Sequence, residues 1–491
     1  MPIYRTVGYA HLRHALNTGA FEPSCPARAY PVQKMLRLAD CLQVPEHVAP
    51  KPDAPPLEHL LFALKHETLD LQAAILALKK IEPAPLVQQF TQASGSRYLQ
   101  QACFLWELAH GQTLQAPEAK GATRPLFDPA LFLTGPSHKV TRWRVDFNGL
   151  GTPTYCPSVR RTPEIDALLA EDILAQANDF VQSIEPGLVQ RAIQWAYLSE
   201  TESSFAIERE SPGGNRMEAF ARLLARAHED ETLTEDYLVA LQNLTVQSAM
   251  DKAVQYRTEQ NWLRRDYSVT YVPPAPEHLV PLMEGLTQLA NQKDSGIHPL
   301  VLGALVSFGF VFAHPFMDGN GRLSRFLFHK IACRGAGLPN GLVLPVSAAM
   351  ARHETRYLQA LCSFSMPARE LWTVAKVSDM EYACTFGGDP AIYSYWDATP
   401  CVQFGLEMAQ EALLHDLYEE VHFLRRFDSV YTAINRELDM NNNLMNLLVR
   451  LLVQGDGELS INKRKMFLAK GCTIAVLEEA QRIACGILRP A

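Results

Sequence analysis

The run LVLGALVSFGFVFA, Leu300 to Ala313, holds fourteen residues without a charge and stops at a histidine–proline step, His314-Pro315. Spanning a bilayer takes roughly twenty such residues, so this segment predicts a buried core helix and not a membrane span. Proline disfavours α geometry in the residue before it, which sets the end of the helix at His314. Helical patterns surround it. Leu57 to Ile81 repeats apolar residues at three- and four-residue steps as one amphipathic helix, Ser96 to Leu114 continues in that style, and Leu188 to Glu210 reads as one long helix before the breaker run Ser211 to Asn215. From Leu406 to Leu438 and beyond the pattern is helical again.

Three breaks organise the rest. The first fifty-odd residues end in the proline-rich VPEHVAPKPDAPP and are expected to be irregular. Thr141 to Thr162 mixes β-branched and aromatic residues with glycines and prolines, a strand or turn junction that places a domain boundary near residue 155. Tyr256 to Val272 suits a short hairpin closed off by Pro273, Pro274 and Pro276. The expectation is an all-α fold with one hairpin, divided into a mostly helical N-terminal domain (1–155), a central domain (156–375) and a C-terminal helical domain (376–491). No period of 20 to 50 residues marks a repeat array.

Charge and cysteines narrow the partners. A net charge of −8 gives no basic footprint for nucleic acid, and the basic run Asn462 to Phe467 reads as a solvated helix face. The ten cysteines include no CxxC pair, as in a reducing cytosol. The N-terminus lacks the apolar stretch of a signal peptide. A cytoplasmic protein is expected, with neither membrane nor nucleic acid as partner.

The chemistry gathers directly after the core helix, in HPFMDGNGRLSR, His314 to Arg325. His314 offers an imidazole suited to accepting a proton near neutral pH, and Phe316 is apolar enough to anchor the loop. Asp318 is a hard oxygen ligand of the kind magnesium takes beside phosphates. Gly319, Asn320 and Gly321 let successive N–H groups converge on an anion, at the start of a helix whose dipole also favours negative charge. Arg322 and Arg325 share one face of that helix, with forked donors that match phosphate oxygens. A histidine before proline is commonly structural and a DGNG alone is commonly a β-turn. Base, acid, nest and paired arginines together predict a polyphosphate site.

This stretch resembles the complete signature of the Fic family, HPFx[D/E]GNGRxxR, with no departure at a fixed position. The likeness extends over roughly residues 190 to 365: YRTEQNW resembles the flap hairpin and RHETRYLQAL, with Tyr357, the helix that follows the motif. It implies a Fic (Fido) helical core with a β-hairpin flap, flanked by further helices, and an enzyme that moves AMP from ATP to a Ser, Thr or Tyr hydroxyl of a target protein. By that likeness His314 is the base and Asp318 holds Mg2+ between the α- and β-phosphates. Asn320 and the amides of Gly319 and Gly321 hold phosphate oxygens, Arg322 fixes the motif or the β-phosphate, and Arg325 holds the γ-phosphate. The flap segment with Arg257, Thr258, Glu259, Gln260 and Trp262 would present an exposed edge to which the target adds as a strand.

Upstream, Ser204 and Glu208 in SSFAIERE resemble the family's inhibitory motif [S/T]xxxE[G/N], in which the glutamate pairs with the second motif arginine, here Arg325. Arg209 departs from the usual Gly or Asn and puts the strength of inhibition in question. Gly321 stands where the phosphotransferring Doc-like branch has lysine, which favours AMP transfer. Removal of AMP, transfer of another nucleotidyl or phospho group, and a non-catalytic regulatory module are the alternatives, and a homo-oligomer is compatible with all of them.

Overall fold

Helix Pro299–Ala313 is buried around nearly its whole circumference, as an uncharged segment of that length requires. Helices Pro276–Ala290, Asn320–Ala332 and Thr399–Glu411 pack on it. The computed structural model describes residues 4–489 except 211–212, 247–250, 266–267, 294, 335–337, 339–340 and 379–380. The breaker run expected at Ser211 to Asn215 therefore lies partly outside the described residues.

The fold is all-α in character, with a helical core and, among the described residues, four small sheets. One apolar core runs from Tyr9 to Leu424, and a second, formed by helices Tyr418–Glu437, Asn442–Gln454, Ile461–Ala469 and Ile474–Leu488, is built on Val430, Leu448, Phe467 and Leu477. No helix among the described residues is long and apolar enough to cross a membrane.

Several expectations are corrected. The N-terminal fifty residues are not irregular: Arg5–Thr6, Ala27–Tyr30, Leu42–Pro45 and Leu36–Arg37 form a four-stranded sheet in that order, with Ala27–Tyr30 and Leu42–Pro45 parallel. The single helix expected over Leu57 to Ile81 is two, Pro56–His66 and Leu71–Leu78. Asp70 starts the second by accepting the Ala73 N–H at 2.9 Å, and the Glu67 carboxylate turns away to accept the Tyr9 N–H at 3.1 Å. Every residue of Leu71–Leu78 is buried, so this helix has no polar face.

The expected hairpin is present but shorter, with strands Leu263–Arg265 and Ser268–Tyr271. A second, unforeseen hairpin, Trp372–Lys376 with Tyr382–Phe386, packs against it. Trp262 meets Tyr382 edge-on with ring centres 5.8 Å apart, and Arg369 donates to the carbonyls of Val269 and Trp372 at 3.0 and 2.8 Å. Both hairpins thereby share one apolar cluster, so the flap is mounted on a base and does not stand free.

Candidate active site

Helix Pro299–Ala313 ends where proline dictates. His314 closes it in the left-handed region at φ 49° and ψ 59°, its N–H on the Phe310 carbonyl at 2.9 Å. A non-glycine residue there carries strain, which persists only where the surroundings over-determine it. The ring Nδ1 lies 3.3 Å from the Val311 carbonyl, which requires the proton on Nδ1 and leaves Nε2 as the acceptor. Burial pushes the imidazole down to about 4, with the Arg257 cation acting in the same direction against the Val311 carbonyl, Glu208 and Asp318. At neutral pH the ring is an uncharged base.

The loop after it is pinned from within. The Asn320 side chain accepts the Phe316 N–H at 3.0 Å and donates to the Phe316 carbonyl at 2.7 Å, while the Phe316 ring is buried. Asn320 is thus first a strut for the turn, a role the sequence reading did not assign. Gly319 sits at φ 84°, where a Cβ would meet Thr245 Oγ1 at 2.8 Å, so both conformation and space demand glycine. Its N–H donates to Asp318 Oδ1 at 2.6 Å. Arg322, 2% exposed, donates to the Thr245 carbonyl at 3.0 Å, to Asp318 at 3.3 Å and to Glu210 at 3.4 Å, and lies over the Phe205 ring. These contacts spend Arg322 on fixing the motif.

Arg325 is 1% exposed and turns to the long helix Pro186–Ile207. It donates to Ser204 Oγ and the Ser204 carbonyl, both at 2.8 Å, and to Glu208 Oε1 at 2.9 Å. The same Glu208 oxygen lies only 2.0 Å from where a Cβ on Gly321 would be. A carboxylate from another helix therefore rests directly on the glycine at the start of helix Asn320–Ala332, where its dipole favours an anion. Ser204, Glu208, Arg325 and Gly321 are brought into contact, and His314 lies close enough to feel the Glu208 charge.

Arg209, the departure from the family pattern, explains itself. The Arg209 N–H bonds the Ala206 carbonyl at 2.9 Å and the Glu210 N–H the Phe205 carbonyl at 3.1 Å, which is a Schellman ending with Arg209 at the left-handed position, φ 58°. Glycine or asparagine suits that position because it needs positive φ. The Arg209 side chain is 73% exposed and points to Glu354 at 3.9 Å, so it does not compete for Glu208. Arg209→Gly should stabilise the helix end by about 0.5–1 kcal/mol, since the left-handed penalty of ~1–2 kcal/mol is partly offset by glycine's freedom in the unfolded chain. Thermal unfolding measures this, and a lower midpoint for the variant would refute it.

Sequence reasoning missed a second tie between the two helices. Glu200, Ser204 and Glu208 fall on one face of the long helix, and Arg325 and His329 on one face of the motif helix. Glu200, fully buried, meets His329 Nε2 at 2.9 Å and accepts the Ser347 N–H at 2.8 Å and the Ser347 hydroxyl. Burial alone would push this carboxyl up, but His329 and the Ser347 donors outweigh it and hold it below the usual carboxylate range. The four-residue spacing was the available signal.

The flap residues divide. Thr258 and Glu259 are exposed, and Gln260 and Trp262 half-buried, but none lies in a strand, because the first strand begins only at Leu263. Arg257 is not on an exposed edge at all: it is 6% exposed, donating its backbone N–H to the Pro315 carbonyl and its Nε to the His314 carbonyl, each at 2.8 Å. The Gln260 amide donates to the Pro273 carbonyl at 3.0 Å, so the stretch expected to receive a target strand is tied down instead.

Among the described residues no group of three or more His, Cys, Asp or Glu side chains could hold a metal alone. Asp318 is a lone carboxylate with 47% of its side chain exposed, suited to a hard cation that completes its shell with water and another ligand's oxygens.

Residues 232–332 match the Fic/DOC family model. A "Protein adenylyltransferase Fic" of Nematostella vectensis is 34% identical over 113 residues, 23% of this chain and 25% of that one. One from Drosophila willistoni is 41% identical over 70 residues, 14% of each chain. The chain spans about a quarter or less of the length of these curated relatives. Among solved structures, a Fic family protein from Desulfovibrio desulfuricans is 21% identical, with a TM-score of 0.40 over 64% of this chain and 90% of that one. A Fic domain containing signaling protein from Bacteroides thetaiotaomicron is 20% identical, with a TM-score of 0.35 over 51% of this chain and 96% of that one. The motif loop, both of its glycines and both of its arginines lie inside the matched segment, so over residues 232–332 the chain contains a Fic/DOC family domain.

Proposed function

We propose that this chain transfers AMP from ATP to a hydroxyl of a target protein, and that Glu208 holds the site shut in the conformation described. The observation that carries the reading is the seat of the Glu208 carboxylate, on Gly321 and bonded to Arg325, in the place a polyphosphate's terminal oxygens would need.

With Glu208 withdrawn, Arg325 is a buried guanidinium still held by Ser204, with Nη1 and one Nη2 donor open to an anionic phosphate, and the amides at the start of helix Asn320–Ala332 converge on the neighbouring one. His314 Nε2 takes the proton of the incoming hydroxyl. The alcohol oxygen bonds to the α-phosphorus as the bond to the oxygen bridging the β-phosphorus breaks, and pyrophosphate leaves. Magnesium accompanying the nucleotide supplies charge neutralisation at the phosphates, and Asp318 is the residue that would hold it. Arg322 and Asn320 act by keeping the loop in shape, so the protein contributes positioning, fixed dipoles and one proton acceptor.

Mass spectrometry after incubation with ATP and Mg2+ tests this. The chain itself, or a protein in a lysate, should gain one covalently bound adenylyl group, and the chain with His314→Ala should add none. No added mass with either, once Glu208 is also replaced, would refute the reading.

A further inference from the structure

Arg257 lies on the approach to the flap, yet its contacts are all with backbone carbonyls around the motif loop and the strand end that follows. Its backbone N–H donates to the Pro315 carbonyl and its Nε to the His314 carbonyl, both at 2.8 Å. Nη1 donates to the Glu259 carbonyl at 3.0 Å and Nη2 to the Pro274 carbonyl. We propose that Arg257 is a positioning residue for the base of the transfer reaction: it grips the two carbonyls that follow the imidazole and fixes the left-handed turn from which the ring projects. This rests on the function proposed above.

The backbone of the turn can be accounted for group by group. The His314 N–H goes to Phe310, Pro315 has no N–H to give, and both polar groups of the Phe316 peptide edge meet Asn320. The carbonyls of His314 and Pro315 remain, and both are taken by Arg257. The turn is strained at φ 49°, and a strained turn keeps its shape only where its neighbours impose it. Among the described residues Arg257 has no ion pair with a carboxylate, so its three side-chain contacts, to the carbonyls of His314, Glu259 and Pro274, are what hold a buried guanidinium in place, while the Pro315 carbonyl is held by its backbone N–H. Burial pulls that guanidinium down to about 10, still charged at neutral pH. A planar fork can span these carbonyls, whereas lysine, a single flexible point donor, can satisfy only part of the set.

The test uses the full chain with Glu208→Ala, so that the latch does not mask the chemistry. Into it Arg257→Met and Arg257→Lys are introduced, and kcat, the KM for target, and calorimetric affinity for ATP with Mg2+ are measured. The Met variant should lose about 100-fold in kcat, the penalty of a base displaced by around an ångström. ATP affinity should stay within about threefold, and Lys should recover about tenfold of the loss. An unchanged kcat, or a loss confined to the KM for target or to ATP affinity, overturns the proposal in favour of a docking or purely structural role. A readout independent of turnover is the His314 tautomer, from imidazole nitrogen shifts in histidine-labelled protein: Nδ1-protonated in the parent, mixed in the Met variant. If the Glu208→Ala parent neither binds ATP nor modifies protein, the functional reading fails, and the tautomer shift still decides the grip. Should the Met variant not fold by circular dichroism, the Lys variant decides: reduced kcat with intact ATP affinity supports the grip, full kcat overturns it.

Discussion

Glu208→Ala should raise auto-modification with labelled ATP by about ten- to thirtyfold over the wild-type chain. The expectation follows from what the carboxylate does in the closed site. Its Oε1 bonds a guanidinium that is 1% exposed and rests on Gly321, so an anionic ligand cannot use either group until it leaves. A hydrogen bond between charged partners contributes about 1.5–3 kcal/mol. Because 35% of the Glu208 side chain is open to water, the lower part of that range applies, and each ~1.4 kcal/mol is one decade in rate. Ser204 remains on Arg325 in the variant through two bonds, which keeps the arginine aimed and lets the nucleotide benefit. An unchanged rate, with ATP binding intact, would show that Glu208 is no latch. The partial exposure of the same carboxylate also suits it to orient a water, so a target carrying AMP should be assayed alongside for its removal.

How much of this could be read from the chain depends on how local the governing interactions are. The motif was legible because its chemistry and backbone demands coincide within twelve residues: His314 before proline, Gly319 at positive φ, and the two arginines on one helical face. The core helix was legible because an uncharged segment has one place to go. The N-terminal sheet was not, since its strands are two to four residues long and their parallel pairing joins Ala27–Tyr30 to Leu42–Pro45, which no alternation announces. The split of Leu57 to Ile81 turned on a single carboxylate: Asp70 caps a new helix, which a periodicity count reads as one more polar position.

At the site itself the misreading of Arg257 has the same origin. Proximity in sequence to the hairpin suggested an exposed edge, whereas its partners His314 and Pro315 lie more than fifty residues on and become visible only in three dimensions. Asn320 was assigned to phosphate oxygens by the resemblance, but its amide closes on the Phe316 peptide. In both cases a polar side chain spends its hydrogen bonds on holding the loop, so under the proposed function the groups left for a ligand are Arg325, the helix-start amides other than that of Gly319, and His314.

The largest effect on stability is expected at Glu200→Ala. The carboxylate is fully buried, meets His329 at 2.9 Å and accepts two donors from Ser347, so its removal leaves a buried imidazole and a buried serine without their partner. Breaking such a pair from one side costs about 3–5 kcal/mol, more than the pair contributes net, because the remaining group stays desolvated. Chemical denaturation of the full chain should report that loss. The interface affected is the one that sets Glu208 against Arg325: Glu200 and Glu208 stand two turns apart on the long helix, His329 and Arg325 one turn apart on the motif helix. Loosening the first contact therefore frees the second, and Glu200→Ala should also raise auto-modification while Glu208 is still present. Glu200→Gln separates charge from geometry. Its carbonyl oxygen can still accept from Ser347, so a cost below about 1 kcal/mol would assign the interaction to hydrogen bonding, and a cost near that of alanine would assign it to the ion pair. A Glu200→Ala chain as stable as the wild type and no more active would mean that the long helix is held in register elsewhere.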